Sequence, residues 1–136
     1  MSEIAQPTVP DQATMKAALQ AYVDRTNAGD AAGLVALFAP DAVIEDPVGS
    51  PIKSAADIPQ WFADTVAFDA RIFPVAPIRG SHANEAALVF YVEFTPPGGE
   101  RLRIHSLDVC TFNAEGLITS LRAWWGPDDV EPATPA

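Results

Sequence analysis

The spacing of the apolar residues changes near residue 70, and that change constrains the fold more than any other feature of the chain. Before it, apolar side chains recur at helical spacing; after it, they alternate over long runs. Over 12–28, Met15, Leu19, Tyr22, Val23 and Thr26 fall on one helical stripe, with Asp11 placed to cap the start and Gly29 to close the end. Asp30 is expected to cap a second short helix carrying Leu34, Val35, Leu37 and Phe38, stopped by Pro40. Residues 42–46 read as a short strand on which Ala42, Ile44 and Asp46 share a face. Ser54 and Asp57 form a variant capping box that opens a third helix, with Ile58, Trp61, Phe62 and Val66 inward. Strands are predicted at about 70–78, 86–95, 101–112 and 117–125, joined by turns at Pro96-Pro97-Gly98-Gly99 and Asn113-Ala114-Glu115-Gly116. Helices followed by long strands imply an α+β fold. The expected form is a cone: a curved antiparallel sheet wrapped around three N-terminal helices and enclosing an apolar cavity.

One domain is expected over 11–126. A flexible arm (1–10, with two prolines) and a flexible Pro- and Asp-rich tail (127–136) flank it. With 49% hydrophobic residues the chain can build a sizeable core. Its 8 Lys and Arg against 18 Asp and Glu leave a net charge of −10, which repels phosphate backbones and acidic lipids. Nucleic acid, membrane and polyanionic substrates are thereby disfavoured, and a neutral apolar ligand is not. Cys110 is the single cysteine, so no disulfide can form within the chain. The opening MSEIAQPTVP lacks the basic and apolar regions of a signal peptide, and no apolar run reaches bilayer length. A cytoplasmic location is expected.

No phosphate-binding glycine loop, HExxH or GxSxG motif occurs. His82 and His105 are too few for a usual zinc site, and His105 and Asp108, three apart on a strand, point to opposite faces. No metal and no organic cofactor is expected. Cys110 reads as a small buried hydrophobe. Three residues stand out. Asp46 is a turn initiator before Pro47, or a carboxylate ending the apolar row Ala42, Ile44, where burial is costly without a task or a partner. Asp108 lies mid-strand on the face of Ile104, Cys110 and Phe112; it is either a buried partner of an arginine or of backbone amides, or a neutral acid whose apolar site raises its pKa. Tyr22 is core packing with a satisfied hydroxyl, or a hydrogen-bond donor into the cavity.

These residues sit in segments that resemble the Δ5-3-ketosteroid isomerases of the nuclear-transport-factor-2-like superfamily. AYVDRTNAGDAAGLVALFAPDAVIEDPVGSP, 21–51, is similar to the family's first two helices and base-bearing strand. ANEAALVFYVEF, 83–94, SLDVCTFN, 106–113, and ITSLRAWWG, 118–126, are similar to its later strands. The resemblance implies that Asp46, in EDPVG, is the proton-shuttling base. It implies that Tyr22 and a protonated Asp108 form the oxyanion hole, the neutral carboxylic acid being known from that family. It places Phe90, Val92, Leu121 and Trp125 on the wall that binds a neutral steroid, and it implies a homodimer. Val109 and Trp124, on the faces opposite the cavity set, agree with such an interface. Where some members carry further tyrosines behind the first, this chain has Phe38 and Phe62, so Tyr22 lacks phenolic partners. The implied reaction converts 3-oxo-Δ5-steroids to their Δ4 isomers. The alternatives are a polyketide cyclase-like enzyme of the same fold and a non-catalytic binder of an apolar molecule.

Overall fold

A computed structural model describes residues 10–133. Helix α1 spans Gln12–Ala28. The Asp11 carboxylate accepts a hydrogen bond from the Thr14 amide at 2.8 Å, and Gly29 ends the helix at φ 69°, a conformation that suits glycine. Met15, Leu19, Tyr22, Val23 and Thr26 are its buried residues, the stripe expected from their spacing. Asp30 caps α2, but α2 covers only Ala31–Val35. Pro40 does not stop it. Phe38 already belongs to strand β1 (Phe38–Glu45), and Pro40 lies where the register of β1 shifts, a place that tolerates proline. A single 3-10 turn, Ala55–Asp57, leads into α3 (Ile58–Ala67), with the Asp57 carboxylate accepting from the Ser54 amide.

The sheet follows as β2 (Arg71–Pro74), β3 (Glu85–Phe94), β4 (Leu102–Phe112), β5 (Ile118–Trp124) and β6 (Val130–Pro132). Its order is β1-β5-β4-β3-β2, with β6 also pairing β4. The sheet is curved and open, and three helices pack with it. Two features differ from expectation. β1 runs parallel to β5, so the sheet is mixed rather than wholly antiparallel. β2 is four residues long instead of nine: past Pro74 the Val75 amide still donates to the Val89 carbonyl at 3.0 Å, the ladder then breaks, and it resumes only as an isolated bridge between Arg79 and Ala87.

The expected tail is structured in part. Pro127–Asp129 form a 3-10 turn and β6 pairs antiparallel with Leu102–Ile104 of β4, held by Arg103–Glu131 and His105–Glu131 contacts. The rest of the tail, 134–136, and the expected arm, apart from Pro10, lie outside the described residues. The core lies between α1, α3 and the concave face of the sheet, where Leu19, Leu34, Ile44, Phe62, Leu88 and Phe112 are almost fully buried. Among the described residues no helix is long and apolar enough to cross a membrane.

Candidate active site

A cavity of about 230 Å³ opens between α1, α3 and the sheet. Tyr22, Asp46 and Asp108 all line it. Each arrives by a different local rule. Tyr22 follows Met15 and Leu19 on the inward stripe of α1. Asp46 follows directly on β1, two residues after fully buried Ile44, so the alternation of the strand carries it to the inner face. Asp108 is at the middle of β4, paired with Leu88 on β3 and Ala123 on β5. Phe90, Val92 and Trp125 also line the cavity. Leu121 does not. It is 2% exposed, lies between Cys110 and Ile44 across the ladder, and belongs to the core.

The two aspartates occupy different surroundings. The Trp125 indole Nε1–H donates to Asp46 Oδ1 at 2.8 Å. This contact follows from the parallel pairing: β1 and β5 end at the same edge, so the residues just past each end meet. On the other face Arg122 Nε donates to Glu45 Oε1 at 2.9 Å and pins that register. Burial raises the pKa of Asp46 above the ordinary carboxylate range, while the Trp125 bond and the positive charge of Lys53 hold it back. Lys53 is itself fixed nearby, its backbone bridging Ile44 and its ammonium 4.3 Å from the Trp61 ring centre.

Asp108 is 2% exposed and has no cationic neighbour within ion-pair distance among the described residues. Its Oδ1 is buried without any hydrogen-bond partner. Burial, and then the charge of Asp46, push its pKa well above the carboxylate range. An arginine-paired Asp108 is therefore not what the fold builds; burial without a cation favours the protonated form, which has a hydrogen to donate. Tyr22 is likewise held as a phenol, its pKa raised well above normal by burial and then by the two aspartates. Its ring meets Phe62 edge-on with centroids 6.2 Å apart, and Phe62 in turn packs on Phe38 at 5.3 Å. Neither phenylalanine can bond to the Tyr22 hydroxyl.

The site thus brings two carboxyls in different surroundings and one phenol to a single, largely apolar chamber. That arrangement suits moving a proton while an oxyanion forms. Cys110 is fully buried and its thiol pKa is raised well above normal, so it is a poor nucleophile. His105 lies on the outer face and bonds Glu131 at 2.9 Å. Among the described residues no three His, Cys, Asp or Glu side chains gather as metal ligands. Two features escaped the sequence. Ser106 lines the cavity and has the strand parity of Asp108, which alternation alone would have revealed. The Trp125–Asp46 bond had no sequence signal, because it depends on the parallel pairing.

With this geometry in view, the comparisons converge. The model of the SnoaL-like domain matches residues 19–121. A steroid Delta-isomerase of Nocardioides simplex is 37% identical over 125 residues, covering 91% of this chain and 98% of that protein. The epoxide hydrolase LasB of Streptomyces lasalocidi is 29% identical over 125 residues; the match takes in 89% of this chain but only 44% of that larger protein. In solved structures, SalBIII, described as an epoxide hydrolase/cyclase-like enzyme in pyran ring formation in polyether salinomycin, superposes with a TM-score of 0.83. It is 30% identical and covers 90% of this chain and 98% of its own. The two sequence relatives are an isomerase and a hydrolase, and SalBIII shares the cone fold. On the family match and on the near end-to-end alignment with the isomerase, this chain belongs to the SnoaL-like domain family.

Proposed function

We propose that this chain is a steroid Δ-isomerase, converting 3-oxo-Δ5-steroids to 3-oxo-Δ4-steroids without a cofactor. The observation that carries the reading is Asp108: a buried, unpartnered carboxyl in the same apolar cavity as an ionisable Asp46 and the phenol of Tyr22. A proton at C4 of such a steroid lies between a carbonyl and a double bond and is acidic. Asp46, ionised, removes it. The electron pair moves toward the C3 oxygen and forms a dienolate. Tyr22 and protonated Asp108 donate hydrogen bonds to that oxygen. Asp46 then returns the proton at C6, and the conjugated enone leaves. A positioned base contributes about 10²–10⁴-fold, and each preorganised donor about 10²–10³-fold. Phe90, Val92 and Trp125 supply apolar surface for the rings.

A second reading is supported by the likeness to LasB and SalBIII. A neutral acid facing a carboxylate is also a reasonable pair for opening an epoxide. One assay separates the two. Adding 5-androstene-3,17-dione should produce the ultraviolet absorbance of a conjugated enone, and Asp46→Asn should cut that rate by about 10²–10⁴-fold with steroid affinity kept. No absorbance change with wild-type protein, together with turnover of an epoxide, would favour the second reading.

A further inference from the structure

Ser106 is 8% exposed, and its Oγ is buried with no hydrogen-bond partner among the described residues. It lines the cavity two residues from Asp108 on the same face of β4. A buried hydroxyl left without a partner is destabilising, and an alanine of nearly the same size would avoid that cost. Rotation about one side-chain bond moves the hydroxyl between staggered positions, so a polar ligand atom at this wall can recruit it.

The direction of the cavity tells which part of a ligand passes Ser106. Its lining on β4 runs Asp108, Ser106, Ile104, and on β3 it runs Phe90, Val92, Phe94. Leu88, paired with Asp108, is fully buried and is not part of the lining. The cavity therefore ends at Asp108 and extends along β4 toward Ile104. A ligand whose carbonyl oxygen is held at Asp108 lies along the strand and crosses Ser106 next. Residues two apart on a strand are separated by about 6.5–7 Å. From a C3 oxygen, that span reaches the middle rings of a steroid and falls short of C17.

We propose that Ser106 is a specificity-determining residue that hydrogen-bonds an oxygen substituent on ring B or C, so that the preferred ligands are 3-oxo steroids oxygenated in the middle rings. This inference rests on the steroid reading above and narrows it. The phenol and the acid hold the C3 oxygen; Ser106 reads a second oxygen partway along the cavity. Every other side chain lining the stretch of β3 alongside it is apolar or aromatic, so Ser106 is the polar feature of that wall.

The test measures dissociation constants by quenching of tryptophan fluorescence, Trp61 and Trp125 being in the cavity wall. The probes are androst-4-ene-3,17-dione and its 6-, 7- and 11-hydroxy derivatives. Wild-type protein should bind at least one hydroxy derivative about three- to tenfold more tightly than the parent, the range of one net hydrogen bond. In Ser106→Ala that ratio should fall to about one or below, and in Ser106→Cys, a weak donor of similar size, it should fall most of the way. A wild-type protein that binds all four equally, or a preference that survives Ser106→Ala, overturns the role of Ser106 and leaves the isomerase reading standing. A wild-type protein that binds none of the four and does not isomerise 5-androstene-3,17-dione overturns both.

Discussion

Asp46 and Asp108 carry the same functional group, and their surroundings act differently on its charge. Asp46 keeps a hydrogen bond from Trp125 and a cation nearby, both of which favour its charged form. Asp108 has neither, and it faces the charge of Asp46 as well. The consequence for stability has a definite sign. The folded pKa of Asp108 lies above its unfolded value of about 3.9, so the folded state holds the proton more tightly. Stability then falls as pH rises from the unfolded pKa toward the raised folded one. Asp108→Asn keeps a donor and removes that linkage. Its urea midpoint should exceed the wild-type midpoint by a margin that widens from pH 4 to pH 8, while its kcat stays above that of Asp108→Ala. A margin that does not change with pH would mean that Asp108 is ionised in the fold. Trp125→Phe gives the matching test at Asp46. Loss of the indole N–H removes a bond to the anion, so the acidic limb of the kcat/KM profile should move to higher pH; an unmoved limb would assign that limb to another group.

At the scale of elements, the registers of β4 and β5 decide which inward residues touch a ligand. Asp108 pairs with Ala123, and Cys110 pairs with Leu121. The cavity closes at Asp108, so residues one step further along, including Leu121, share the inward face but sit past its end. Leu121 and Phe90 are both inward apolar residues of the sheet, yet only Phe90 lines the chamber. Leu121→Ala should therefore destabilise the fold by about 2–5 kcal/mol, as expected for a filled core position, with KM for the isomerised steroid little changed. Phe90→Ala should raise KM. Urea titration beside steady-state kinetics checks both, and a large KM effect in Leu121→Ala would return that residue to the binding wall.

For the whole molecule, the outer face of the sheet is the feature that calls for a partner. Val89, Leu107 and Trp124 lie across β3, β4 and β5 in one paired row, with Val89 39% and Trp124 45% exposed. Beside them Phe73 stacks on Tyr91 at 4.8 Å. An exposed apolar stripe on one sheet face is suited to packing that face against another copy. The expected state is a homodimer through this face. Light scattering at micromolar concentration should give twice the chain mass for the wild type and the monomer mass for Trp124→Glu. A monomeric wild type would reject the arrangement.

The order of elements, the inward stripe of α1 and the inward parity of Asp46 and Asp108 were all legible from the sequence, because side-chain direction along a helix or strand is a local property with a fixed period. The three catalytic candidates could be named for the same reason, once their resemblance to a known family joined them. Only the tertiary structure decided what depends on residues far apart in the chain. The parallel pairing of β1 with β5 brings Trp125 to Asp46 across 79 positions. The end of the cavity at Asp108 leaves Leu121 in the core, outside the cavity lining. The pairing of β6 with β4 turns part of an apparent tail into sheet. Local patterning sets which way a side chain points; which neighbour it then meets depends on strand register and cavity shape, and those are settled only when distant segments pack together.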